Sequence, residues 1–290
     1  MVEIACVVPG GAELGEGALW HPGERTLYWV NILAGEIHRF DPATGRDSVC
    51  VVSDAVGSLA IRRQGGLVAA MGRGFYNVDF ATGEAKLIAE VEADLPENRM
   101  NDGKPDRQGR FWAGSMHKPE TCATGALYRL NPNLQWSRLV EGIVVSNALA
   151  WSPDGKTMYY GDSSARTVWA WDFDTDSGEI YNRRIYLDEA TIGGPPDGAT
   201  VDAEGYYWLA VPGTWRVNRY DPVGRLERSI KLPVSNPTCV AFGGDGLHTL
   251  YVTSGTYMAR REHLRNQPLA GALLAINAGV SGLPDAEFCG

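Results

Sequence analysis

The chain has 290 residues, 44% of them hydrophobic and 21% charged, with a formal net charge of −9. That is enough chain for a substantial core at an ordinary globular balance, and the acidic surface disfavours nucleic acid and anionic lipid as partners. Residues 1–20 show neither a basic start nor a long apolar run, so no signal peptide or membrane span is expected and a cytoplasmic location is.

Residues 3–8 (Glu-Ile-Ala-Cys-Val-Val) read as a strand standing before any repeat. A pattern then recurs six times, starting at residues 17, 58, 101, 147, 197 and 238: a short strand, a polar turn usually ending in Gly, and a strand rich in Trp or Tyr. The copies at 147–160 (Asn-Ala-Leu-Ala-Trp-Ser-Pro-Asp-Gly-Lys-Thr-Met-Tyr-Tyr) and 197–210 (Asp-Gly-Ala-Thr-Val-Asp-Ala-Glu-Gly-Tyr-Tyr-Trp-Leu-Ala) show it most clearly. Third strands ending in Asp-containing turns follow at 36–45, 74–83 and 217–224. A spacing of roughly 40–50 residues is that of a four-stranded propeller blade. The expected fold is therefore all-β: a six-bladed β-propeller of four-stranded blades, one domain over 1–290. Left alone the N-terminal strand would present an open edge; the economical solution pairs it with the last blade and closes the ring. Stacked β-sandwiches would not require the repeat. The best helix candidate is short, around Tyr257–Asn266, with Met258, Arg261 and Leu264 at spacings of three.

Equivalent positions of a circular repeat surround one axis. Glu16, Asn101, Asn147 and Asp197 stand at the same point of their copies. A lone Glu or Asn is usually a solvated turn residue, and Pro-Asp-Gly around Asp197 is an ordinary turn sequence. Their shared register argues for more. Glu16, Asn147 and Asp197 offer two carboxylates and an amide oxygen, hard ligands suited to one divalent cation. Ca²⁺ is the first choice, with Zn²⁺, Mn²⁺, Mg²⁺ or Fe²⁺ open. Arg99, Asn101 and Asp102 form a cluster, Arg-Met-Asn-Asp-Gly, that suits binding of a substrate bearing hydroxyls and a carbonyl. On a strand Arg99 and Asn101 would point to one side. His117, after Gly-Ser-Met, either approaches the site from its blade or, the plainer reading, is a loop histidine. The five cysteines are scattered, form no Cys-x-x-Cys pair and read as reduced thiols, with Cys239 as buried filler. There is no nucleophile elbow, phosphate loop or dinucleotide fingerprint.

Leu-Gly-Glu-Gly, Arg-Met-Asn-Asp-Gly-Lys, Ser-Asn-Ala-Leu-Ala-Trp-Ser-Pro-Asp-Gly and Pro-Asp-Gly-Ala, in that order, resemble the regucalcin (senescence marker protein)/gluconolactonase/luciferin-regenerating family over nearly the whole chain. The resemblance implies a six-bladed propeller with one divalent metal in its central channel, held by Glu16, Asn147 and Asp197. It also implies Asp197 as general base, substrate contacts from Arg99 and Asn101, and hydrolysis of a sugar lactone to the aldonic acid. The implied partner is a small-molecule lactone, and a monomer is the default, with a dimer open. The chain departs from the family's usual Ser-Asn-Gly at Ala148, and from its pattern at 210–215 and 268–273. Phosphotriester hydrolysis at a similar metal site and a non-catalytic calcium-binding or regulatory propeller are the alternatives.

Overall fold

The computed structural model describes residues 3–257, 259 and 261–290, apart from the side chains of Arg261 and His263. Its strands form six four-stranded antiparallel sheets, the blades of a β-propeller. In chain order, β1 is Ile4–Val8, β2–β5 lie between 15 and 51, and β6–β9 between 56 and 90. They are followed by β10–β13 (98–143), β14–β17 (146–187), β18–β21 (199–231) and β22–β24 (237–277). Each of the first five blades is a meander of consecutive strands; the sixth runs β22-β23-β24-β1. The N-terminal strand pairs with β24 (Leu273–Asn277) in the register Ile4↔Ile276, as expected, and supplies the sixth blade's outer strand. The helix expected around 257–266 is reduced to one turn, Arg261–Leu264; Met258 lies outside the described residues.

Apolar side chains fill the seams between blades. Leu19, Tyr28 and Val30 of the first blade meet Leu59, Ala69 and Met71 of the second. Trp20, Leu27 and Phe40 of the first blade meet Tyr251 and Leu273 of the sixth, so the ring is closed by packing as well as by β1.

The repeated turn has a chemical cause. Asp106 Oδ1 accepts from the amides of Gln108 and Arg110, while its Oδ2 accepts from the Trp112 indole at 2.8 Å. Asp202 does the same for Glu204 and Tyr206 and, at 2.8 Å, for Trp208. The spacing of Asp, a Gly three residues on and a Trp six on therefore lets one carboxylate cap the turn and anchor the next strand. Gly109 and Gly205 take the positive φ that the turn needs.

The innermost strands are β2 (Gly15–His21), β6 (Val56–Ile61), β10 (Asn98–Pro105), β14 (Ser146–Trp151), β18 (Ala199–Val201) and β22 (Pro237–Gly243). The last residues, 278–290, cross one end of the channel they surround. Gly282 bridges to Asp202, Asp285 Oδ2 accepts from the Trp20 amide, and Phe288 pairs with Arg62 and is fully buried beside Phe75 and Phe111. These contacts lie at or just past the C-terminal ends of the inner strands, opposite the end that carries the site below.

Candidate functional site

Register against the second strand of each blade places Glu16, Gly57, Asn101, Asn147, Asp197 and Thr238 at equivalent inner positions. The pairing of β2, β6, β10, β14 and β22 breaks at or next to this position, in a bulge or irregularity; in β14 it lies between Asn147 and Ala150. A bulge twists the strand and re-aims the side chain, here toward the axis. Gly17 and Ala148, each following its ligand candidate, have positive φ at 57° and 66°. Glycine is accommodated there easily; Ala148 is not, and its carbonyl is held by the Tyr207 hydroxyl at 2.7 Å.

Five of the six equivalent residues line a cavity of about 300 Å³, together with Arg99 and Glu120. The sixth, Gly57, is the exception: a Cβ there would lie 2.5 Å from the Asn101 carbonyl oxygen, so the missing side chain gives β10 room. Of the residues proposed from sequence, Glu16, Asn147, Asp197, Arg99 and Asn101 come together. Asp102 does not line the cavity. It stands one residue past Asn101, within the irregular stretch, and its Oδ2 accepts from the Leu149 amide at 3.0 Å. His117 also stays out; it is the last residue of β11 (Phe111–His117) and not a loop residue, and it accepts through Nδ1 from the amides of Thr121 and Cys122.

Polar groups in the cavity hold one another in a fixed direction. Arg99 Nη1 donates to Asn101 Oδ1 at 2.6 Å, and Asn101 Nδ2 donates to the Ser146 carbonyl at 2.8 Å and to Asn147 Oδ1 at 3.2 Å. Asp197 follows Pro195 and Pro196, whose fixed φ restricts its approach, and its amide is tied to the Ala210 carbonyl at 3.0 Å. Glu16 Oε2 accepts from the Gly17 amide at 3.0 Å, and its carboxyl also meets that of Asp197.

Burial and the nearby Asp102 carboxylate push Glu16 up to about 8. Burial, then Glu16 and Asp102, push Asp197 well up from its ordinary value. Two enclosed carboxyls in contact ionise together only with a cation between them, and otherwise hold a proton between them. Arg99 is the one cation among the described residues lining the cavity, and burial lowers its pKa while Glu16, Glu120 and Asp197 oppose that.

Sequence reasoning missed Glu120, Ser163 and Thr238. Glu120 sits in a loop at φ 58°, and burial raises its pKa against the pull of Arg99. Thr238 could have been found by extending the register to the sixth repeat. Glu120 and Ser163 lie outside the repeated stretch and carried no signal of their own.

Residues 14–256 match the family model described as the SMP-30/Gluconolactonase/LRE-like region. The chain belongs to this family. It is 36% identical over 288 residues to the 6-deoxy-6-sulfogluconolactonase of Pseudomonas putida, covering 99% of each chain. It is also 36% identical over 296 residues to regucalcin of Xenopus laevis, covering 100% of this chain and 99% of that one. Among solved structures, a regucalcin from Agrobacterium tumefaciens, described as a calcium-binding protein, superposes with a TM-score of 0.92 at 30% identity, over 97% of this chain and 95% of the other.

Proposed function

We propose that the cavity is the active site of a divalent-metal-dependent lactonase that opens a sugar lactone, an aldonolactone, to its aldonic acid. The observation that carries the reading is the contact of two enclosed carboxyls, Glu16 and Asp197, across from the Arg99 guanidinium in one small cavity. The donor set fits a hard divalent cation. Glu16, Asp197 and the Asn147 amide oxygen are all oxygen ligands, and a cation would relieve the repulsion that raises both carboxyls. No group of three or more His, Cys, Asp or Glu gathers to hold a metal among the described residues, so the amide is needed as third ligand. Three protein ligands leave positions open for water and substrate. Ca²⁺ is the expected cation, supported by the calcium-binding description of the solved relative.

The chemistry a divalent cation supplies in such a site is Lewis acidity toward a carbonyl and a lowered pKa for water. The chain's own residues do the rest. Asp197 removes a proton from the attacking water and returns it to the ring oxygen as the ester bond breaks. Arg99 directs its remaining N–H groups to the substrate's carbonyl or hydroxyl oxygens, and its charge is strong in an enclosed cavity. Asn101 is held by Arg99 and Asn147, so it fixes the orientation of its neighbours more than it offers free donors. Glu120 stands where it can accept from a substrate hydroxyl.

The test is metal add-back. Protein stripped with chelator is given Ca²⁺, Mg²⁺, Mn²⁺, Zn²⁺ or Fe²⁺ singly, and acid release from a panel of aldonolactones is followed. Restored turnover is expected, with kcat falling about 10²- to 10⁴-fold in Asp197→Asn. Cation binding without turnover on any lactone would replace this reading by a calcium-binding role.

A further inference from the structure

An amide can present a cation with an oxygen, which binds it, or with an NH₂ group, which repels it. Asn147 is useful as a ligand only in one of the two orientations. Ser163 decides between them. It follows β15 (Thr157–Asp162) directly, and its Oγ lies 2.6 Å from the Pro196 carbonyl oxygen and 2.8 Å from Asn147 Nδ2. A prolyl peptide carbonyl has no proton to give, so the hydroxyl donates to it. With its single proton committed there, Ser163 can only accept from Asn147. The side of the amide facing Ser163 is therefore the NH₂, and Oδ1 is turned toward Asn101 and the cavity.

We propose that Ser163 is a positioning residue that fixes Asn147 with its oxygen toward the cavity and ties that orientation to the peptide preceding Asp197. It terminates a chain of donors running one way through three blades: Arg99 to Asn101, Asn101 to Asn147, Asn147 to Ser163, and Ser163 to Pro196. Hydrogen bonds aligned in this manner polarise one another in a buried setting. Asn101 supports the same orientation from the other side at 3.2 Å, so losing Ser163 weakens the preference without abolishing it. The inference rests on reading Glu16, Asn147 and Asp197 as cation ligands. The role assigned to Ser163 is that of an outer partner orienting a metal ligand.

The experiment is titration calorimetry of Ca²⁺ and Mn²⁺ into metal-stripped protein, with thermal unfolding of the metal-free forms as a check on folding. Ser163→Ala is expected to weaken cation affinity about 10- to 100-fold. Ser163→Thr keeps the hydroxyl and should return most of the loss, which a purely structural role would not predict. In an Asn147→Asp background, where both oxygens are equivalent and orientation no longer matters, Ser163→Ala should have little further effect. Should Ser163→Ala fail to fold, Ser163→Cys keeps the volume, weakens the donor and carries the same expectation. Unchanged affinity in a folded Ser163→Ala, with the parent binding normally, overturns the role of Ser163 and leaves the metal reading standing. A parent that binds neither cation removes the metal reading and this inference with it.

Discussion

Glu16 shows what the site costs the fold. Its carboxyl is enclosed, faces Asp197 and feels Asp102, and it is raised from its ordinary 4.5 to about 8. Asp197 and Asp102 are raised as well, each first by burial. A carboxyl raised in the folded state keeps its proton where the unfolded chain has lost it. The folded chain therefore binds more protons between the ordinary value and the raised one, and stability falls as pH rises through that window. For metal-free protein we expect urea midpoints to drop between about pH 5 and about pH 8, and Ca²⁺ to flatten the slope. Glu16→Gln should leave the metal-free protein more stable than the parent near the top of that window while losing cation affinity. Midpoints that climb with pH in the parent would show that the two carboxyls are not held this way. The neighbouring Ala148 carries a second local cost. It sits at φ 66°, a conformation that costs a residue bearing Cβ about 1–2 kcal/mol. Glycine would relieve it but adds about 0.4–1 kcal/mol of unfolded-chain entropy. Ala148→Gly should thus stabilise by between about zero and about 1.6 kcal/mol, read from denaturant unfolding, with Asn147 left in place.

Among the elements, the turn carboxylates have the largest consequence. Asp202 caps its turn through Oδ1, anchors Trp208 through Oδ2, and meets the Arg219 guanidinium at 2.7 Å with both side chains buried. Removing the carboxylate leaves two amides, an indole N–H and part of a buried cation without their partner. Asp202→Ala should cost about 3–5 kcal/mol, the scale for breaking a buried pair, and Asp202→Asn less, because it keeps an acceptor for the turn. Chemical denaturation of the two variants against the parent measures both. The same motif makes the third and fifth blades legible from sequence: an Asp, Gly and Trp at fixed spacing serve one local purpose and need no distant partner. Glu16, Asn101, Asn147 and Asp197 were legible for a related reason, since the register of a repeat carries them to one axis. Asp102 was misplaced among the cavity residues because adjacency in sequence hides the change of direction in an irregular strand. Gly57 contributes by lacking a side chain, and Ser163 and Glu120 enter from loops, so neither pattern nor spacing could point to them.

At the scale of the molecule, the two ends of the chain act on the same ring in different ways. β1 completes the sixth blade as its fourth, outer strand, whereas residues 278–290 bind across one end of the channel and touch several blades. Lys104, on β10, donates to the Ala199 carbonyl at 3.1 Å and faces Asp285 of the tail at 3.9 Å. Phe288 is the anchor: it is fully buried against Phe75 and Phe111, its amide donates to the Ile61 carbonyl, and its carbonyl accepts from the Arg63 amide. Burial of a whole phenylalanine at the seam of the second and third blades makes Phe288→Ala expensive, about 3–5 kcal/mol. The candidate cavity lies at the opposite end of the inner strands, and among the described residues none of its polar contacts passes through the tail. Phe288→Ala should therefore lower the denaturation midpoint substantially while the folded variant binds Ca²⁺ with parental affinity at moderate temperature. If affinity instead fell in step with stability, the tail would be setting the geometry of the inner strands along their whole length, and the ring would be one cooperative device rather than a rigid frame with a separate closure at its far end.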